Sequence, residues 1–271
     1  MPGSKLDRHP PAPHSALRLE DIQTDGVLDR SPMVIDALEI EGRDVLGLVH
    51  PLTMNRNGFR RLLLGDQPIS RGHRHLFEKS LEQMSPRHRR ALLHRVGWVR
   101  SPPIFLNNVK VIDNIALPLL YHSSRREDVV HRLAYDLLHR LGVDDDLRRT
   151  PPAYDLATLR IASLVRALSV EPRLLVVENV NQVFTERDHQ ADFLKELRHL
   201  TEQGSAVILM ATSARDLPPI CRDILVITPG GLTVRGTRQS LKNHRDSAVR
   251  NLVDDSTGHL TEDKPSSERG D

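Results

Sequence analysis

With 271 residues, 38% hydrophobic but only 3% aromatic, the chain suits one large domain or one domain with a small appendage. A net charge of +2 spread over 27% charged residues provides no global field that would select nucleic acid. The lone cysteine, Cys221, rules out a disulfide framework or a multi-cysteine metal site and reads as a small core residue.

Residues 1–15, rich in Pro and His, read as a disordered tail without the apolar centre of a signal peptide; His9 and His14 there lack a metal-ligand context. Ala16–Ile22 and Met33–Ile40 read as short strands, and Arg43–Val49 as a buried strand followed by a turn around Pro51–Asn57 and a helix through Phe59–Leu64. Pro86–His94 is a basic helix leading into the strand Val96–Val99, whose Trp98 reads as core. Apolar residues at helical spacing (Val130, Leu133, Leu137, Leu141) predict a helix over Arg125–Leu141, and Ala157–Ser169 predicts another. Then come the apolar strand Arg173–Val177, a helix over Gln190–Gln203, the strand Ala206–Met210, and the strand Asp223–Ile227 ending at a Pro-Gly-Gly turn. Residues from about 254 onward, acidic and Ser-rich, read as a second disordered tail. Apolar strands alternating with amphipathic helices predict an α/β fold with a mainly parallel sheet. No run is apolar for long enough to cross a bilayer, so the protein is expected to be soluble and cytoplasmic.

Several segments carry a family resemblance. His50-Pro51-Leu52-Thr53-Met54-Asn55-Arg56-Asn57-Gly58 lies between strand and helix with the length of a Walker A loop. Val96–Val99 and Phe105–Leu119 resemble a Q-loop passage, and Arg166-Ala167-Leu168 with Glu171–Asn179 resembles a Walker B passage. Ala211-Thr212-Ser213, Asp223–Ile227 and Gly230–Val234 follow in the same order as the family's switch and closing strands. Together they resemble the ATP-binding subunit of ABC transporters across about Leu17–Asp255. The stretch Ser240–Asp254 and the Asn114–Leu119 run are similar to the ATPases of Mce-type phospholipid transporters, the maintenance-of-lipid-asymmetry kind. The resemblance implies a P-loop NTPase-like domain over 16–242, with a helical subdomain at about 100–170 and a C-terminal extension over 243–271.

Position by position, the chemistry that the resemblance implies is altered. A phosphate-binding loop needs glycines so that successive backbone N–H groups converge on the anion; here His50, Thr53 and Asn55 hold those places. The lysine place holds Arg56, and the Mg²⁺-binding hydroxyl place holds Asn57, followed by Gly58. Two readings stand: a weakened anion site on Arg56, or an ordinary strand-to-helix turn, the second being favoured. In Walker B the carboxylate pair becomes Glu178 and Asn179; Glu178 retains the capacity to hold a metal through water, but Asn179 cannot accept a proton, and a strand end with no catalytic task is the favoured reading of the pair. The Q-loop place is Ser101, the switch histidine place is Ser213, and Thr185, with Asp188 nearby, stands where the family ends a loop in Asp. The signature region reads Tyr154-Asp155-Leu156-Ala157-Thr158-Leu159, and no aromatic residue precedes Phe59 to stack on adenine.

The expected function is therefore a catalytically degenerate ABC subunit on the cytoplasmic face of the inner membrane. No cofactor is expected, with ATP and Mg²⁺ bound weakly if at all. It would dock on an integral membrane permease of a lipid transport system through the apolar segment Ile104–Leu119, as a homodimer or a heterodimer with another ABC subunit. The alternatives are an atypical ATPase using Arg56 and Glu178, and a cytoplasmic regulatory module. His73-Arg74-His75 and Arg87-His88-Arg89-Arg90 read as a solvated basic helix face rather than a phosphate site.

Overall fold

A computed structural model describes residues 15–28, 31–183 and 187–254. The chain opens with β1 (Leu17–Thr24) and β2 (Met33–Ile40), then β3 (Val45–Val49) and α1 (Arg56–Leu63). Next come β4 (Arg71–Leu76), β5 (Lys79–Ser80), α2 (Pro86–Leu93) and β6 (Val96–Val99). A helical stretch follows with α3 (Val111–His122), α4 (Glu127–Arg140) and α5 (Leu156–Ser169). The chain then returns to the sheet through β7 (Leu174–Val177), α6 (Val180–Val183), α7 (Arg187–Glu202), β8 (Ala206–Ala211), β9 (Asp223–Ile227) and β10 (Thr233–Gly236). It closes on α8 (Arg238–Lys242) and α9 (Ser247–Asp254).

Among the described residues the strands form two sheets. One has four strands in the order β2-β1-β4-β5, all antiparallel. The other has six, in the order β10-β9-β3-β8-β7-β6, parallel except for the edge pair β10–β9. Parallel strands are covered on both faces and so read as continuous apolar runs, as in Leu174-Leu175-Val176-Val177, where every side chain is buried. One face of the large sheet packs with the small sheet around α1, whose Phe59, Leu62 and Leu63 are buried among Leu17, Leu19, Leu46 and Ile208. The other face is covered by a cluster that includes Ile115, Leu137, Val165 and Leu197 from four helices, with Val249 and Val253 of α9 added at one side.

The sequence missed β4. His73, Arg74 and His75 lie on this strand and not on a helix face, and Arg74 is 5% exposed. Its guanidinium is tolerated in the core because Nε donates to Glu82 Oε1 at 2.7 Å and Nη1 donates to the carbonyls of Leu62 and Gln67. Burial alone would raise the Glu82 pKa, but the hydrogen bonds from Arg74 outweigh it and hold the carboxyl below its ordinary value. Arg87–Arg90 do lie on a helix, although Arg89 turns inward and donates to the carbonyls of Gly65 and Leu81. The Ile104–Leu119 segment is divided: Ile104, Leu106 and Leu117 are exposed, whereas Val111, Ile112, Ile115 and Ala116 are core. Buried Asn114 braces the preceding loop, accepting from Leu106 N–H and donating to the carbonyls of Leu106, Val109 and Lys110. The tails with His9 and His14, Thr185, and the side chain of Asp188 lie outside the described residues.

Candidate functional site

In an open parallel sheet the crevice forms beyond the carboxyl ends of the strands. Four adjacent strands, β3, β8, β7 and β6, bring His50, Ser213, Glu178 and Ser101 to that edge. Registers such as Val49 beside Ala211 and Val177 beside Val99 set their depths.

The turn after β3 is closed by a Met54 N–H bond to the Pro51 carbonyl at 3.0 Å. No residue from His50 to Gly58 has positive φ, so the left-handed steps that let a backbone curl around a phosphate are absent from this turn. Asn55 sits at φ −71° as the N-cap of α1, and its side-chain oxygen accepts the Gly58 N–H at 3.0 Å. Its amide nitrogen reaches the Gly26 carbonyl, and its own N–H donates to the Val27 carbonyl at 2.7 Å. Gly58 is needed for this approach, because a Cβ there would meet the Gly26 oxygen at 2.5 Å. Arg56 is half-buried at the first helical position, and exposed Asn57 accepts from Arg60 Nη2 at 3.2 Å. His50 is 2% exposed, with Nδ1 3.0 Å from the Pro51 carbonyl and Nε2 buried without a hydrogen-bond partner. Burial pushes its pKa down most, the Pro51 contact opposes this, and then Arg56 lowers and Glu178 raises it.

Across the crevice Glu178 is 3% exposed, and both of its oxygens are engaged. Oε1 accepts from Trp98 Nε1 at 2.8 Å, and Oε2 accepts from the Ser101 N–H at 3.0 Å. Asn179 occupies the left-handed region at φ +46°, a conformation Asn tolerates better than most residues, and its amide nitrogen donates to Ser101 Oγ at 3.3 Å. Ser101 Oγ donates in turn to Gln182 Oε1, which also accepts from Arg160. Ser101, Glu178 and Asn179 thus form one polar knot with Trp98 and Gln182, in which the Asn179 side-chain oxygen is buried without a hydrogen-bond partner. Ser213 stands apart from it, capping its own short turn by accepting from the Arg215 N–H. Arg60 is also close enough to feel Glu178: burial lowers its pKa first, then Arg100, while Asp66 and Glu178 raise it.

Three participants escaped the sequence reading. Trp98 packs partly in the core, as expected, but its indole N–H holds Glu178, and neither Gln182 nor Arg60 was singled out. A buried tryptophan must place its N–H somewhere, and that requirement was the available signal.

The signature region begins α5. Asp155 is the N-cap, accepting the Thr158 N–H at 2.8 Å, and that bond lowers the carboxyl's pKa. Tyr154 OH accepts from the Arg149 N–H and donates to the Asp146 carbonyl. Between α2, β6, α3 and α5 lies a groove of about 770 Å³ lined by Arg87, Arg90, His94, Trp98, Tyr121 and His122. The His94 and His122 rings stack there with centroids 5.2 Å apart.

No protein-family model matches the chain. The methionine import ATP-binding protein MetN of Clostridium acetobutylicum is 21% identical over 217 residues, covering 80% of this chain and 67% of that one. The nickel import ATP-binding protein NikE of Escherichia coli O157:H7 is 26% identical over 203 residues, covering 72% and 74%. Among solved structures, the dimeric ATP-binding cassette MJ0796 in a post-hydrolysis state with ADP and Pi superimposes with a TM-score of 0.70 at 11% identity, over 82% of this chain and 98% of that one. An ATP-binding subunit of an ABC transporter gives 0.69 at 14% identity, over 88% and 97%. Among the described residues, no helix is long and apolar enough to cross a membrane. The chain therefore has the ATP-binding-cassette fold and is similar along most of its length to the ATP-binding subunits of ABC transporters.

Proposed function

We propose that this chain is a catalytically silent member of the ABC nucleotide-binding type, docking on an integral membrane permease and pairing with itself or with another ATP-binding subunit. The observation that carries the reading is the state of Glu178. A carboxylate that serves a magnesium ion must present an oxygen to the crevice; this one is 3% exposed, and each oxygen is already held by an N–H group, of Trp98 and of Ser101. Asn57 offers no hydroxyl, and the Gly58 N–H is satisfied by Asn55. The residues present do not fit a magnesium-bound triphosphate. Docking is supported by the groove beside α3, where Tyr121 is 85% exposed. The relatives MetN and NikE are named for methionine and nickel import, whereas the likeness of Ser240–Asp254 to Mce-type ATPases favours a phospholipid system.

Trp98 is the only tryptophan, which makes the test direct. Purified chain is titrated with Mg-ATP while phosphate release and tryptophan emission are followed. No turnover above that of Glu178→Ala is expected, and no saturable emission change at micromolar ATP. Magnesium-dependent turnover that disappears in Glu178→Ala would overturn the proposal. It would favour a second reading, an atypical ATPase using Arg56 and Glu178, both of which act on His50, with Arg60 also under the influence of Glu178.

A further inference from the structure

In the helical stretch, α3 and α4 bring three metal-ligating side chains together. Asp113 lies in the first turn of α3, and Glu127 and His131 lie one turn apart on α4. His131 Nε2 is 3.1 Å from Asp113 Oδ1 and 3.9 Å from Glu127 Oε1, and all three ligand atoms fall within 4.8 Å of one another. Nε2 is buried yet makes no hydrogen bond, although a carboxylate oxygen is that close. The two helices are held by their own packing, Ala116 and Leu119 against Val130, so the ligand atoms converge without help from an ion.

We propose that Asp113, Glu127 and His131 bind a divalent cation of the zinc class. A tetrahedral zinc with ligands at about 2.0–2.1 Å has ligand–ligand edges of about 3.3 Å, and the distances of 3.1 and 3.9 Å straddle that value. One neutral imidazole with two carboxylates suits zinc and its transition-metal neighbours, while magnesium and calcium favour all-oxygen shells. Glu127 is largely exposed, which leaves an entry path and room for water as the fourth ligand. The ion would join the start of α3 to the start of α4. Because α3 continues to Pro118, Tyr121 and His122 in the groove, the staple would set the pitch of that wall. The site stands independently of the proposed function.

The test uses the full chain, stripped with chelator and titrated with Zn²⁺ by calorimetry, alongside Asp113→Asn, His131→Gln and the variant carrying both. The near-isosteric Asp113→Asn guards against misfolding, and circular dichroism checks each protein. One zinc per chain at micromolar or tighter affinity is expected, together with a metal-dependent rise in melting temperature. Affinity should fall at least tenfold in each single variant, and the melting rise should vanish in the double variant. Zinc bound equally by the double variant would place the ion on other histidines and overturn the proposal. Absence of binding by the unmodified chain would overturn it as well.

Discussion

Helices α1 and α5 both begin where the family resemblance calls for phosphate, and both keep a first-turn amide for themselves, but with different groups. Asn55 caps α1 with a neutral amide and also ties it to Gly26, whereas Asp155 caps α5 with an exposed carboxylate that bonds within its own first turn. A helix N-terminus attracts anions through unsatisfied N–H groups and the helix dipole. At α1 an anion would have to displace a neutral cap in competition with it; at α5 it would also meet a negative charge. Residual anion affinity therefore belongs to α1 and not to α5.

The largest expected effect comes from the knot facing α1. Glu178→Ala leaves the Trp98 and Ser101 N–H groups without acceptors, and stability should fall by about 3 kcal/mol, from about 1–3 kcal/mol for each buried orphan. The denaturant midpoint and the Trp98 emission maximum should shift together. A carboxylate maintained for chemistry rather than structure would give the opposite result, since removing it commonly leaves stability equal or higher.

The caps themselves come next. Asn55→Ala and Asp155→Ala should each cost about 1 kcal/mol in thermal or denaturant unfolding. The sharper comparison uses Asn55→Gly, which costs only a few tenths of a kcal/mol and frees the Gly58 N–H. Sulfate should then raise the melting temperature more than it does in the unmodified chain, and Asp155→Gly should show a smaller gain. Equal gains would mean that the charge of the cap is irrelevant.

The smallest effect is a pH dependence from His50. Its folded pKa is depressed below the ordinary 6.5, so the unfolded chain takes up the proton first. Its stabilising contribution is complete above about pH 7.5 and declines as pH falls through 6.5, by less than about 1 kcal/mol down to pH 6. His94, also lowered by burial and then by His122, acts in the same direction, so the reading is the difference between the unmodified chain and His50→Asn. Urea midpoints across that range should converge toward low pH.

The parallel strands were legible because burial on both faces leaves nothing but apolar residues in Leu174–Val177 and Ala206–Ala211. Strand β4 was not, since Arg-Gly-His-Arg-His-Leu has no apolar alternation, and Arg74 is buried only through partners brought in by the fold. The crevice was half legible. Asn55 and Asn179 were readable as residues, but one uses the cap geometry and the other the left-handed region, a division that only the backbone decides. The acceptor role of Glu178 depends on Trp98 and Ser101, 80 and 77 residues away, and no local pattern could pair them.

Arg74 has one more consequence. By holding the Leu62 and Gln67 carbonyls it fastens the far end of α1 to the small sheet, while Asn55 fastens the near end to the loop after β1. A helix of eight residues held at both ends cannot fray independently of the strands that hold it. In native-state hydrogen exchange its amides should open together with those of β1 and β4, as one cooperative unit. The helix that follows the altered loop would then be one of the slowest segments of the molecule to exchange.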